Sequence, residues 1–177
     1  MRFSSFLLLA LVFAAAPLRA ELSPEQINRL PARELEKALP AEHPSAYYLY
    51  AGRLFRAGRK DDAVCWLYVG QLRYRFHLMA SPGLSPSGDP ALFASLGATV
   101  GQTINEYAGG NVNDWVKAID RALKWDADNP NGFTSKKKFA AIHEEIRAGL
   151  KKMRNQVKSQ ADTIREQRKK RGLENRG

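Results

Sequence analysis

Apolar positions recur every three to four residues along most of the chain, and no segment keeps the two-residue alternation of a half-buried strand. The pattern predicts helices. Ser23-Pro24-Glu25-Gln26 has the composition of a helix start: a capping hydroxyl, a proline where no N–H is needed, and a Gln three residues after the cap. A second short helix is expected from Pro31, with Leu35 and Leu39 one turn apart before Pro40. After His43-Pro44-Ser45, residues 46–57 place Tyr47, Tyr50, Ala51 and Leu54 on one face and Tyr48 and Phe55 on another, and Gly58 supplies the stop.

Asp61 and Asp62 favour the positive start of the next helix, which runs to about Ala80. Between positions 63 and 72 it is apolar or small on nearly every side, with Gln71 the exception, and a helix of that kind belongs in the middle of a fold. Most of the rings cluster in this hairpin, including Tyr47, Tyr50, Trp66, Tyr68, Tyr74 and Phe76, so it is the expected core. Residues 81–88 read as a loop from their Pro, Gly and Ser content. Asp89-Pro90 is expected to cap a helix with Leu92, Leu96, Val100, Ile104 and Tyr107 on one stripe, closed by Gly109-Gly110. Asn111 caps the next, whose buried face carries Val112, Trp115, Ile119, Ala122 and Leu123 before Asn129-Pro130-Asn131-Gly132.

A last helix is expected from Thr134 or Ser135 to about Lys170, its stripe passing through Phe139, Ile146, Leu150, Met153, Val157 and Ile164. Thirty-five helical residues would extend ~52 Å, so the far end should project from the body or find a partner. The expected fold is all-α: a single-domain helical bundle of stacked hairpins with a long C-terminal helix.

Residues 1–20 change the picture by removing themselves from the fold. Met1-Arg2, the apolar block 6–16 and Pro17-Leu18-Arg19-Ala20 have the layout of a secretory signal peptide, with cleavage placed after Ala20. The apolar block is well short of the ~20 residues of a spanning helix. A mature chain free in the periplasm or secreted is the expectation. The division is therefore 1–20 signal peptide, 21–135 helical-hairpin body and 136–177 long basic C-terminal helix with a frayed tail.

Charge sharpens that division. Residues 21–135 hold 12 cations and 13 acids, whereas 136–177 hold 14 cations and 5 acids, so the positive field belongs to the C-terminal segment. Arg147, Lys151, Arg154, Lys158, Arg165 and Lys169 share a sector of the helical wheel beside the apolar stripe, and Arg73, Arg75 and His77 are expected around the rim where the core helix emerges. These nine side chains are the candidate partner-binding set. The expected partner is another protein with an acidic surface, an anionic membrane surface is the alternative, and nucleic acid is not expected of an exported chain.

The turn Gly58-Arg59-Lys60-Asp61-Asp62-Ala63 resembles that of a tetratricopeptide-type helical hairpin, with Gly58 closing the first helix and Ala63 where the second packs closely. Ala51, Leu54, Leu67 and Gly70 are small or apolar at the other contact places, and a second copy runs from Gly110 through Trp115, Ile119 and Ala122-Leu123. The resemblance implies a scaffold that binds partners.

Chemistry is sparse. Ser135 and Lys138 have S-x-x-K spacing, but no K-T-G or S-D-N follows and no sheet is expected to hold a serine enzyme together. Metal or acid–base work would require His43, His77 and His143 to converge from separate helices. Cys65, the single cysteine, sits in the most apolar helix and is expected to be a small core residue. No catalytic residue, cofactor or metal ligand is assigned. The reading is an exported, non-catalytic helical protein-binding module of the inhibitor or immunity type, acting on a secreted effector; the alternatives are an enzyme using Ser135/Lys138 or the histidines, and an envelope-associated protein held by its basic tail.

Overall fold

The computed structural model describes residues 21–177, and the expected signal peptide at 1–20 lies outside them. The described residues form an all-α domain of packed helices with no strand among them. Helix α1 (Pro24–Arg29) begins with a complete capping box: Ser23 Oγ accepts the Gln26 N–H at 3.2 Å, and the Gln26 side chain accepts the Ser23 N–H at 2.8 Å. Helix α2 (Ala32–Ala38) continues into a tight turn at Leu39–Ala41, and Leu35 and Leu39 are fully buried.

Helix α3 (Ser45–Arg56) and helix α4 (Lys60–Ala80) form the central hairpin. Gly58 closes α3 at φ 80°, a conformation that a Cβ would strain. The Gly58 N–H donates to Phe55 O and the Arg59 N–H to Leu54 O, the paired bonds that finish a helix with a left-handed residue. Because α4 has no polar face along most of its length, it can be satisfied only by neighbours on all sides, and α3, α6, α7 and α8 supply them. The two helices of the hairpin pack tightly at Gly70, where an added Cβ would stand 3.0 Å from Tyr47 Cβ. In the same core Trp125 packs edge to face on Tyr47 and Trp66, and Tyr50 on Trp66, with centroids between 5.0 and 5.8 Å apart, while Tyr47 and Trp66 lie tilted at 6.1 Å.

The segment expected as one helix from Asp89 is α5 (Asp89–Leu96), a widened turn at Gly97–Gly101 and α6 (Gln102–Gly109). Thr99 Oγ1 donates to Ser95 O at 2.8 Å there, competing with the regular backbone ladder. Helix α7 (Val112–Asp128) is capped by Asn111, whose Oδ1 accepts the Asp114 N–H at 3.1 Å.

The C-terminal segment differs from the single projecting rod expected of it. Helix α8 (Ala140–Ser159) lies against α4 and α7, and α9 (Ala161–Lys170) follows a break at Gln160. Neither Pro nor Gly occupies the break; the Ser159 hydroxyl donates to Gln156 O at 3.1 Å, the kind of side-chain bond that bends helices. Beyond α9 the tail folds back. Arg168 donates to Glu106 O, the Arg176 N–H donates to Gly110 O at 2.6 Å, and the Arg176 guanidinium lies over the Tyr107 ring. Among the described residues no helix is long and apolar enough to cross a membrane.

Candidate functional site

The nine cationic and histidine side chains singled out from sequence divide into two groups. Arg73 and His77 do not lie on a rim: they are 1% and 8% exposed and bind carboxylates of the chain itself. Arg147 turns inward to Asp126, Arg154 chelates Asp120 on α7 at 2.7 and 3.0 Å, and Arg165 pairs with Asp162 at 2.7 Å. Lys151, Lys158, Lys169 and Arg75 remain exposed, and Arg75 lies over the Phe93 ring. Within that wheel sector of α8, Arg147 and Arg154 therefore reach the acids of α7, while Lys151 and Lys158 stay in solvent. A helical wheel shows which residues share a face, but not which face a neighbour covers.

Asp126 explains where those charges went. Its side chain is fully buried near the end of α7, with Arg147 Nη1 at 2.7 Å, His143 Nε2 at 2.9 Å and Lys136 Nζ at 3.4 Å. Arg73 Nε stands 2.8 Å from Oδ1, close as an ion pair though off the line of a hydrogen bond. Burial by itself raises a carboxyl, but Arg73, Lys136, Arg147 and His143 outweigh it and hold Asp126 below the ordinary carboxylate range. Three cations on one carboxylate are balanced by backbone. Arg73 also donates to Asn129 O and Pro130 O, Lys136 to Asp126 O and Asn129 O, and Arg147 to Leu123 O, so the negative end of α7 takes the remaining charge. This hub fastens α4 and α8 to the end of α7.

On the other flank of α8 lies an open groove of about 540 Å³ between α4 and α8. Leu72, Ile146, Leu150 and Met153 line it together with Arg75, Lys152 and Glu145. Ala148 and Gly149 keep it wide, since a Cβ placed on Gly149 would meet nothing within 4 Å. Lys152 was outside the sequence-derived set because it lies off the wheel sector; its only signal was adjacency to Met153.

Of the three histidines, two converge. His43 Nε2 lies 3.0 Å from Asp89 Oδ1 and His77 Nε2 lies 2.9 Å from Asp89 Oδ2, while His143 belongs to the Asp126 hub. Asp89 was expected to cap its helix; Gly88 holds that position instead, and the Asp89 carboxylate turns to the histidines and accepts from Tyr74 OH at 3.1 Å. Burial pushes this carboxyl up and the bonds from His77 and the nearness of His43 more than reverse it, leaving Asp89 below its usual value. Among the described residues these three are the group whose His and acid ligand atoms lie within 4.8 Å of one another. Ser135 Oγ accepts the Lys138 backbone N–H at 3.2 Å, and the Lys138 ammonium lies over the Phe139 ring. Cys65 is a buried free thiol whose burial raises it to about 11.

No protein-family model matches the chain, and no curated protein or solved structure matches it.

Proposed function

We propose that this protein is an exported, non-catalytic binding module that docks an acidic amphipathic segment of another protein into the groove between α4 and α8. The carrying observation is the pairing of an apolar furrow with cations in its lining. Ile146 and Met153, over a buried floor of Leu72 and Leu150, offer the furrow, and Arg75 and Lys152 lie in its lining with Glu145 as its acid. A helix laid in such a groove buries its apolar stripe and meets the cations with its acidic shoulders. Further along the surface Lys137, Lys151, Lys158, Lys169 and Lys170 are exposed and form no internal ion pair among the described residues. Their field steers an acidic partner toward the C-terminal half without adding much to affinity at physiological salt. The tetratricopeptide-like turn at Gly58 supports the same reading, since scaffolds of that kind present grooves between helices.

The test is a photo-crosslinking residue at Gly149, where added bulk has room, in the exported full-length protein. A specific adduct that disappears in the Arg75→Glu, Lys152→Glu double variant, and weakens with salt, supports the groove. An adduct indifferent to both charge reversals refutes it. Co-sedimentation of the mature chain with phosphatidylglycerol vesicles, lost on reversal of Lys151 and Lys158, would replace this reading with the envelope-associated one.

A further inference from the structure

The cluster at His43, His77 and Asp89 draws its members from three places: the turn before α3, the last turn of α4 and the first residue of α5. Nothing local brings them together. Both imidazoles aim Nε2 at the same carboxylate, at 3.0 and 2.9 Å, with the ligand atoms of all three within 4.8 Å of one another. The ligand atoms of a tetrahedral centre with ~2.0 Å bonds stand about 3.3 Å apart, and these lie within 4.8 Å, so modest side-chain shifts would bring the group to that spacing. Each remaining ring nitrogen meets a hydroxyl: His43 Nδ1 is 2.8 Å from Ser45 Oγ and His77 Nδ1 is 3.4 Å from Thr134 Oγ1. Those are the partners that a metal-bound imidazole needs for its second N–H. Phe133 packs edge-on against both rings at 4.9 Å, while the side chains keep 14%, 11% and 21% exposure for entry.

We propose that His43, His77 and Asp89 bind one divalent late transition-metal ion of the zinc class, with solvent or a partner's side chain completing the coordination. Two neutral imidazoles and one carboxylate suit zinc, cobalt, nickel or copper better than the oxygen-seeking calcium or magnesium. Ser45's backbone N–H points at His43 Nδ1 from 3.2 Å, so in this geometry the ring's proton lies on Nε2 and goes to Asp89. Coordination frees the Nε2 lone pair by moving that proton to Nδ1, where Ser45 Oγ accepts it; the bond from the Ser45 backbone N–H is then lost, and that N–H must turn away from the ring. His77 makes the same exchange with Thr134 Oγ1. The rival state is a purely structural knot, in which Asp89 accepts from both rings and from Tyr74 and takes no ion.

The two differ in equilibrium dialysis of the tag-free mature protein against Zn²⁺, with Co²⁺ as a spectroscopic substitute. The expected result is one ion per chain with visible Co²⁺ ligand-field bands, both lost in His77→Gln. Thr134→Val, which keeps all three ligands, should weaken binding ~10-fold or more. Stoichiometric binding that persists in His43→Gln and His77→Gln, or no binding by the wild type at micromolar metal, overturns the site. If those variants do not fold, the wild type decides alone: its melting temperature must rise with Zn²⁺ and not with Mg²⁺, and no rise refutes the proposal.

Discussion

Asp126→Asn tests the strongest energetic claim about this fold. The substitution keeps the shape of the side chain and removes one charge from a site with no solvent. Arg73 beside it is 1% exposed, so its guanidinium cannot rehydrate, and Arg147 and Lys136 lose the carboxylate that draws them to α7. Removing one partner of a buried pair costs about 3–5 kcal/mol because the survivor stays charged and dry. Against a total stability of ~5–15 kcal/mol, that is a large fraction. With a urea m-value of ~2 kcal/mol/M, the midpoint should fall by about 2 M. Urea denaturation followed by tryptophan fluorescence reads it directly, since Trp125 lies against Arg73. Asp120→Asn, which breaks the solvated Arg154 pair, is the control and should leave the midpoint nearly unchanged. Adding Arg73→Met to Asp126→Asn should recover part of the loss, because the uncompensated charge is then gone. A midpoint shift for Asp126→Asn no larger than that of the control would show that the hub is hydrated and that the reasoning fails.

Three further outcomes follow from the same structure. Asp126 is held below its unfolded value, so the stability it adds is complete above pH ~4 and drains away as pH falls through its folded value. The groups facing it are Arg73 from α4, Lys136 from the preceding turn, and His143 and Arg147 from α8; acid titration should show a loss that Asp126→Asn lacks, and parallel curves would contradict the assignment. Gly70→Ala should destabilise by ~1–3 kcal/mol by driving a methyl into Tyr47 and Tyr48, whereas Gly149→Ala, in open space on a helix, should stabilise by ~0.5–1 kcal/mol; thermal melts with equal signs would refute the packing. Cys65, raised to about 11 by burial, presents roughly 100-fold less thiolate at pH 8 than an ordinary cysteine, so a disulfide reagent should label native protein slowly and urea-unfolded protein at once.

Residue order alone determined most of the helix ends, because what starts and stops a helix lies within one turn of its end, but not the later start of α8 at Ala140, the break at Gln160 or the widened turn at Gly97–Gly101. The Ser23–Gln26 capping box, the left-handed Gly58 and the Asn111 cap are all local devices, and each occurs where the pattern places it. The burial of α4 was equally legible, since a helix with no polar face has nowhere else to go. Tertiary structure decided which charges were left for function. Arg73 and Asp126 are 53 positions apart, and His43 and Asp89 are 46 apart, distances over which no periodicity carries information. A cation on a helical wheel looks the same whether solvent or a buried carboxylate awaits it. Only the packing of α8 on α7 turned Arg147 and Arg154 into internal ties, and only the return of the chain at α5 brought Asp89 between two histidines.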